Sequence, residues 1–237
     1  VKNKQKACEA NGINFMEIDF DKDTKEEIII DEIKRLNLNK EVNGILVQLP
    51  LPKHINPDLV INSIAPAKDV DGFHPFNVAS LYLKQPGIVS CTPKGIIEVL
   101  DFANIQIEGK HAVVLGRSNI VGMPVSKLLL DRNATVTICH SRTANLAEIT
   151  KTADILIAAV GKAKFVKADM VGDGAVVIDV GVNRDLETNK LCGDVDFKDV
   201  EPKASYITKV PGGIGPMTIT CLMENTLECY LKHMEGK

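Results

Sequence analysis

Apolar and polar positions change rhythm several times along this chain. Residues 111–115 (HAVVL) form a short apolar run of the kind that suits a buried strand. Gly116 follows, then a polar corner of Arg117, Ser118 and Asn119, and then Val121, Val125, Leu128 and Leu129 at helical spacing. Pro124 falls near the start of that helix, where its missing N–H costs little. The unit reads as strand, glycine turn, helix. Further strands are predicted over 135–139, 154–160, 175–180 and 205–208, with helices near 146–152 and over 219–233. Ahead of this region the pattern predicts a helix ending at Ala10, a strand over 13–20 and a helix over 24–36. A second apolar strand over 44–49 is halted by Pro50-Leu51-Pro52. Asn56-Pro57 opens a helix to Ile64, residues 66–77 read as a loop rich in Pro, Gly and Asp, and Thr92-Pro93 caps a helix through Leu100. Strands alternating with helices imply parallel sheets joined by right-handed crossovers, here in two α/β domains that meet along the helix at 93–102. Ligands of such sheets lie beyond the carboxyl ends of the strands, where the glycine-rich and polar corners fall.

Charge and composition narrow the function classes. The 237 residues carry a net charge of −3 without a strongly basic block, which disfavours a nucleic-acid partner. No apolar run reaches membrane-spanning length, and VKNKQKACEA does not have a signal-peptide pattern. The six cysteines are scattered with no C-x-x-C pair, so neither a zinc site nor a disulfide framework is indicated, and a reducing cytoplasm is expected. His54, His74 and His140 are far apart and no H-E-x-x-H occurs, so no metal site is expected.

Several polar residues interrupt this frame, each with two readings. Gly116 and Gly122 bracket a turn before a helix N-terminus, which can cradle a phosphate or simply turn the chain; their spacing meets the dinucleotide fingerprint only in part. The end of the next strand, His140-Ser141-Arg142, lacks the carboxylate that would hold an NAD ribose, while Ser141, Arg142 and Arg117 can donate to a 2′-phosphate. Gln48 interrupts the run ILVQLPLP, as a satisfied core amide or as a partner to a functional group. Asp69 and Asp71 in DVDG suit an Asx-type turn or a ligand contact. Lys4 stands in a run of like charges that reads locally as a solvated helix face. Pro211-Gly212-Gly213-Ile214-Gly215-Pro216 is a nest of N–H groups over a ligand or a hinge.

Taken together and in order, GILVQLPLPKHI, KDVDGFHP, CTPKG, GRSNIVGMP, ATVTICHSRT, ADILIAAVGK, GAVVIDVGVNR, GDVDF and VPGGIGPMT resemble the bifunctional methylenetetrahydrofolate dehydrogenase/methenyltetrahydrofolate cyclohydrolase (FolD) family over nearly the whole chain. The resemblance implies two α/β domains flanking a cleft. The first, residues 1–92 with a returning helix at 217–237, binds folate; the second, residues 93–216, is a Rossmann-type domain for NADP. It implies oxidation of 5,10-methylenetetrahydrofolate with NADP and hydrolysis of the methenyl product to 10-formyltetrahydrofolate. The catalytic lysine falls on Lys4, its supporting glutamine on Gln48 and the pterin-binding acid on Asp71. Val47, Leu49, Pro211, Gly212 and Gly213 join Gln48 and Asp71 along the folate. The cofactor would lie along Gly116, Arg117 and Ser118, near His140 and Ser141, with Val182 at the nicotinamide end. A cytoplasmic homodimer without membrane or nucleic-acid partners is expected. The family's Tyr-Val-x-x-Lys motif stands here only as Val1-Lys2-Asn3-Lys4, which leads to the expectation of a preceding segment that supplies the tyrosine. A shikimate-dehydrogenase-like oxidoreductase and a non-catalytic binding module are the alternatives.

Overall fold

The computed structural model describes residues 1–185 and 188–235. The chain forms two compact units, Val1–Cys91 with Ile219–Lys237, and Thr92–Thr218.

The first unit contains α1 (Lys2–Ala10), α2 (Glu26–Leu38), α3 (Pro57–Asn62) and α4 (Pro75–Leu83). Glu26 and Glu27 occupy the first turn of α2, where the helix dipole favours acids. Its other end is held from outside: Lys68 Nζ donates to the carbonyls of Leu36 (3.0 Å), Asn37 (2.7 Å) and Asn39 (2.8 Å). Those carbonyls lie in the last turn of the helix and just past it, where a cation also complements the dipole. Ile29, Ile33 and Leu36 of α2 pack with Ile45, Ile55, Val60 and Ile64. A second cluster joins Cys8, Val70, Ile88 and Cys91 to Cys221, Leu222, Met223 and Cys229. Asn225 Nδ2 ties that cluster to the carbonyls of Val70 (3.0 Å) and Val89 (2.9 Å).

Two predicted strands do not form. Residues 13–20 are irregular and leave Phe15 and Met16 exposed; among the described residues no strand pairs with them. Residues 44–49 make one parallel bridge, Ile45 to Asp69, and bury only Ile45. A strand needs a ladder for its N–H and C=O groups, and alternation along one segment does not supply it. Conversely, α4 occupies part of the predicted 66–77 loop. Pro75 takes its first position and the His74 ring accepts the N–H of Phe76 (3.0 Å). Proline at that position is a helix-start signal as much as a loop signal.

The second unit begins within α5 (Cys91–Phe102), which starts before Thr92, so Thr92 is not its cap. Then come β1 (His111–Leu115), α6 (Gly122–Asp131), β2 (Thr135–Cys139), α7 (Leu146–Thr150), β3 (Ile155–Ala158) and β4 (Val176–Asp179). The two-residue strands β5 (Asn183–Arg184) and β6 (Leu191–Cys192) pair antiparallel, and α8 (Phe197–Val200), β7 (Tyr206–Ile207) and α9 (Ile214–Glu235) follow. α9 starts five residues before the predicted 219, because Pro216 in its first turn needs no N–H donor.

The five parallel strands run β2-β1-β3-β4-β7. β1 and β3 are apolar at almost every position because both faces are covered. Alternate residues serve separate cores. Ala112, Val114, Ile155 and Ile157 meet Ile96 and Leu100 of α5 and Val125 and Leu129 of α6. Val113, Leu115, Leu156 and Ala158 meet the side of α7 and Val200 of α8. The result is three layers with all strand ends aligned toward one rim.

Lys68→Met should lower the stability of the first unit by about 2 kcal/mol, since it takes one charged donor from three carbonyls at once. Urea unfolding followed by a probe in that unit measures this; a midpoint within error of wild type would show that the lysine does not hold the helix end.

Candidate active site

In the first unit the two acids of DVDG part company. Asp69, buried, accepts the N–H groups of Gly72 (3.1 Å) and His74 (2.7 Å) and the Nδ2 of Asn77 (2.9 Å), so it builds the turn. Gly72 sits at φ +71, and a Cβ there would meet the Ser90 nitrogen at 2.7 Å, so backbone passes where a side chain would stand. Asp71 is half-buried beside Cys91, whose Sγ lies 4.0 Å from Oδ1. Loss of water pushes its carboxyl up to about 6; the positive charge of Lys4 opposes the rise and the charge of Asp69 adds to it.

Lys4, in the first turn of α1, places Nζ 3.2 Å from Gln48 Oε1. The Gln48 amide is oriented by its own Nε2, which donates to the Leu49 carbonyl at 3.0 Å. The oxygen is thereby left for the lysine. A glutamine in this place binds an ammonium without carrying charge, which a carboxylate would not do. The structure thus brings Lys4, Gln48 and Asp71 into one neighbourhood, with Val47 and Leu49 half-buried on the same segment as Gln48. Val47, Asp71 and Phe73 line a common hollow. Phe73 was not among the predicted residues; its position two residues after Asp71 in a chain poor in aromatics was the available signal.

The second unit presents its polar corners along the strand-end rim. Gly116 (φ +135) could not carry a side chain, because the Ala159 carbonyl oxygen occupies that space. Gly122 likewise faces the Gly116 carbonyl. Ser118 Oγ accepts the N–H groups of Val121 (3.2 Å) and Gly122 (3.4 Å), and its carbonyl accepts that of Met123 (3.0 Å), so one residue shapes the entry to α6. Arg117 and Ser118 are exposed ahead of the helix N-terminus. At the end of β2, His140 closes a turn: its ring accepts the Arg142 N–H (3.1 Å) and its own N–H donates to Thr143 Oγ1 (2.9 Å). That leaves Ser141 and Arg142 exposed. Strand order reverses between β1 and β3, which marks the ligand crevice of an open α/β sheet. A backbone cradle that excludes Cβ atoms, a helix N-terminus and two exposed guanidiniums fit a dinucleotide with an added phosphate. Val182 is 66% exposed just beyond β4. Pro211, Gly212 (φ +109) and Gly213 lead directly into α9, and a Cβ on Gly213 would meet the Lys209 carbonyl at 2.6 Å.

Two family models match the chain. The tetrahydrofolate dehydrogenase/cyclohydrolase catalytic domain matches residues 1–71, and the NAD(P)-binding domain of the same family matches residues 90–234. The chain belongs to the tetrahydrofolate dehydrogenase/cyclohydrolase family. Its relatives include the bifunctional protein FolD of Bacillus anthracis, 58% identical over 228 residues, which are 96% of this chain and 79% of the relative. Among solved structures, the FolD methylenetetrahydrofolate dehydrogenase/cyclohydrolase of Campylobacter jejuni aligns with a TM-score of 0.95 at 47% identity, covering 98% of this chain and 82% of that one. The Trypanosoma brucei FolD, complexed with NADP cofactor and inhibitor, aligns with a TM-score of 0.92 at 38% identity over 98% of this chain and 81% of that one. In this family member the Lys4–Gln48–Asp71 neighbourhood falls in the catalytic-domain match, and the Gly116–Gly122 turn in the NAD(P)-binding match.

The position of Asp71 sets a pH signature. An acid whose pKa rises on folding, here from 3.8 to about 6, costs the folded state nothing below the unfolded value and destabilises it as pH climbs between the two. Asp179 is also pushed up to about 6 by burial, so the slope of wild type alone does not isolate Asp71. The difference does: Asp71→Asn should gain stability relative to wild type as pH rises through this window and hold that gain above it. Thermal unfolding of both proteins at intervals between pH 4 and pH 8 reads it; a difference independent of pH would refute the assignment.

Proposed function

We propose that this chain oxidises 5,10-methylenetetrahydrofolate to the 5,10-methenyl form with NADP and then hydrolyses that product to 10-formyltetrahydrofolate. The observation that carries the reading is the Lys4–Gln48 contact, formed across 44 residues beside a desolvated Asp71, in a chain that carries both domains of the family. NADP, when bound, supplies the acceptor for the hydride that leaves the methylene carbon.

The residues divide the remaining work. Asp71 accepts hydrogen bonds from the N–H and amino groups of the pterin edge, which also offset the cost of its burial. Lys4 Nζ carries a proton between the attacking water and the folate nitrogen that parts from the carbon. Gln48 holds Nζ in place without titrating, so the lysine stays free to give and take that proton. Val47, Leu49 and Pro211-Gly212-Gly213 wall the folate. Gly116, Arg117, Ser118, His140 and Ser141 hold the adenine side of NADP and its phosphates, and Val182 borders the nicotinamide. We infer a cytoplasmic homodimer that acts on free folates, with neither nucleic acid nor membrane as partner, and whose formyl product serves purine biosynthesis. The six cysteines, none of them in a disulfide, suit a reducing compartment, and no described helix is long and apolar enough to cross a membrane.

The direct test follows absorbance of NADPH and of methenyl-folate with methylenetetrahydrofolate as substrate, and with shikimate as the control. Turnover with shikimate alone would overturn the reading, and binding of both ligands without turnover would leave only a binding module. In the same assay NADP should outperform NAD by about tenfold or more in kcat/KM, because Arg117, Ser141 and Arg142 offer donors to a 2′-phosphate and the β2 end offers no acid for a free ribose. Comparable efficiency with NAD would refute that assignment.

Lys4→Ala should slow hydrolysis of the methenyl compound by about 10²–10⁴-fold, the usual contribution of a proton-transferring side chain. Folate affinity should change far less, since Asp71 and the 211–213 loop remain. Near-normal hydrolysis in a folded variant would remove Lys4 from the mechanism.

A further inference from the structure

The segment after β3 borders the reversal in strand order between β1 and β3. Gly116 is already pressed against the Ala159 carbonyl at that border. Three consecutive amides of the segment, those of Val160 (2.6 Å), Gly161 (2.9 Å) and Lys162 (2.9 Å), donate to the single carboxylate of Asp194. Asn183 Nδ2, at the start of β5 just after β4, donates to the same carboxylate at 2.8 Å. Asp194 is fully buried. Its own N–H and that of Val195 donate to Asp179 at the end of β4 (both 2.9 Å), which also accepts the N–H of Gly181 (3.0 Å). The acids and glycines interlock: the Asp194 carboxylate fills the space a Cβ on Gly181 would need, and the Asp179 carboxylate fills that of Gly193.

Successive N–H groups converging on one point form an anion-binding nest. Here the anion is internal. A phosphate of the dinucleotide is therefore excluded from the β3 loop and directed to the turn before α6, whose N-terminus faces the exposed Arg117 and Ser118. The β3 and β4 loops are left with a different task, to present a fixed surface to the half of the dinucleotide that extends past the reversal. Asp194 holds both loops at once, one through backbone amides and the other through Asn183 next to exposed Val182.

We propose that Asp194 is a positioning residue for the nicotinamide half of NADP, clasping the 160–162 and 181–183 segments in the one arrangement that half can rest on. The proposal depends on the assignment of NADP to the second unit. It makes no demand on the adenine half, which is held at the ends of β1 and β2.

The experiment is calorimetric titration of the full chain with NADP and with 2′,5′-ADP, which carries the adenine and the 2′-phosphate but no nicotinamide. Asp194→Asn puts an amide N–H₂ where four donors converge. Affinity for NADP should fall by about tenfold or more, the scale of a lost charged hydrogen bond, while that for 2′,5′-ADP stays within about twofold. Asn183→Ala removes one donor and leaves the three amides held; its loss should be about threefold and again confined to NADP. If Asp194→Asn does not fold, Asn183→Ala decides alone. Equal losses for both probes would mark a general structural role, and unchanged affinity for NADP would show that the clasp does not bear on the site; either overturns the proposal. Failure of wild type to bind NADP would instead fell the assignment beneath it.

Discussion

At Gly116 the backbone turns through φ +135, and the carbonyl oxygen of Ala159 lies where any side chain would begin. Gly122, six residues on, is pressed in the same way against the Gly116 carbonyl. These two contacts draw the ends of β1 and β3 together and seat the start of α6 directly on the rim of the sheet. The direction of the helix dipole and the exposure of Arg117 and Ser118 follow from them. A methyl group at either position would force backbone apart from backbone, a displacement that flexible side chains cannot absorb.

The first unit is governed by a different constraint, the cost of taking charge out of water. It resolves that cost for Asp69 with three donors and for Lys68 with three carbonyls. Asp71 receives no comparable set from the turn, and its raised pKa records the difference. A carboxylate left in this condition is poised to gain from a ligand that brings donors of its own. Two acids separated by one residue thus differ in kind, Asp69 committed to the turn and Asp71 left with a raised pKa.

The second unit was the more legible in sequence, for a physical reason. AVVL and ILIA are continuous apolar runs because their strands are covered on both faces, and the glycine turn and helix spacing follow at once. Residues 13–20 alternate as a strand should, yet alternation reports which face is apolar and not whether a partner lies alongside. Strands β5 and β6 are two residues each and leave no period to detect. Lys4 read locally as one more solvated lysine; only its likeness to a family motif singled it out, because the Gln48 it meets is 44 positions away. Nothing in DVDG separates Asp69 from Asp71 until the donors around each are known. Asp194 stood in plain view in GDVDF, but its meaning comes from amides at 160–162 that no spacing rule connects to it.

The first unit is discontinuous: it is made of Val1–Cys91 and Ile219–Lys237, with the whole of the second unit between them in the chain. Asn225, Cys221, Leu222 and Cys229 complete a core whose other half is Cys8, Val70, Ile88 and Cys91. On a ribosome, where domains fold in order as they emerge, this reverses the expected sequence of events. The second unit can close as soon as its own residues are free. The stretch made first holds the cluster of Ile29, Ile33, Leu36 and Val60 by itself, but Cys8, Val70, Ile88 and Cys91, with the Val89 carbonyl that Asn225 meets, wait until α9 has been synthesised. A chain cut between Thr218 and Asn225 would therefore keep the residues of the second unit and lose the part of α9 that completes the first.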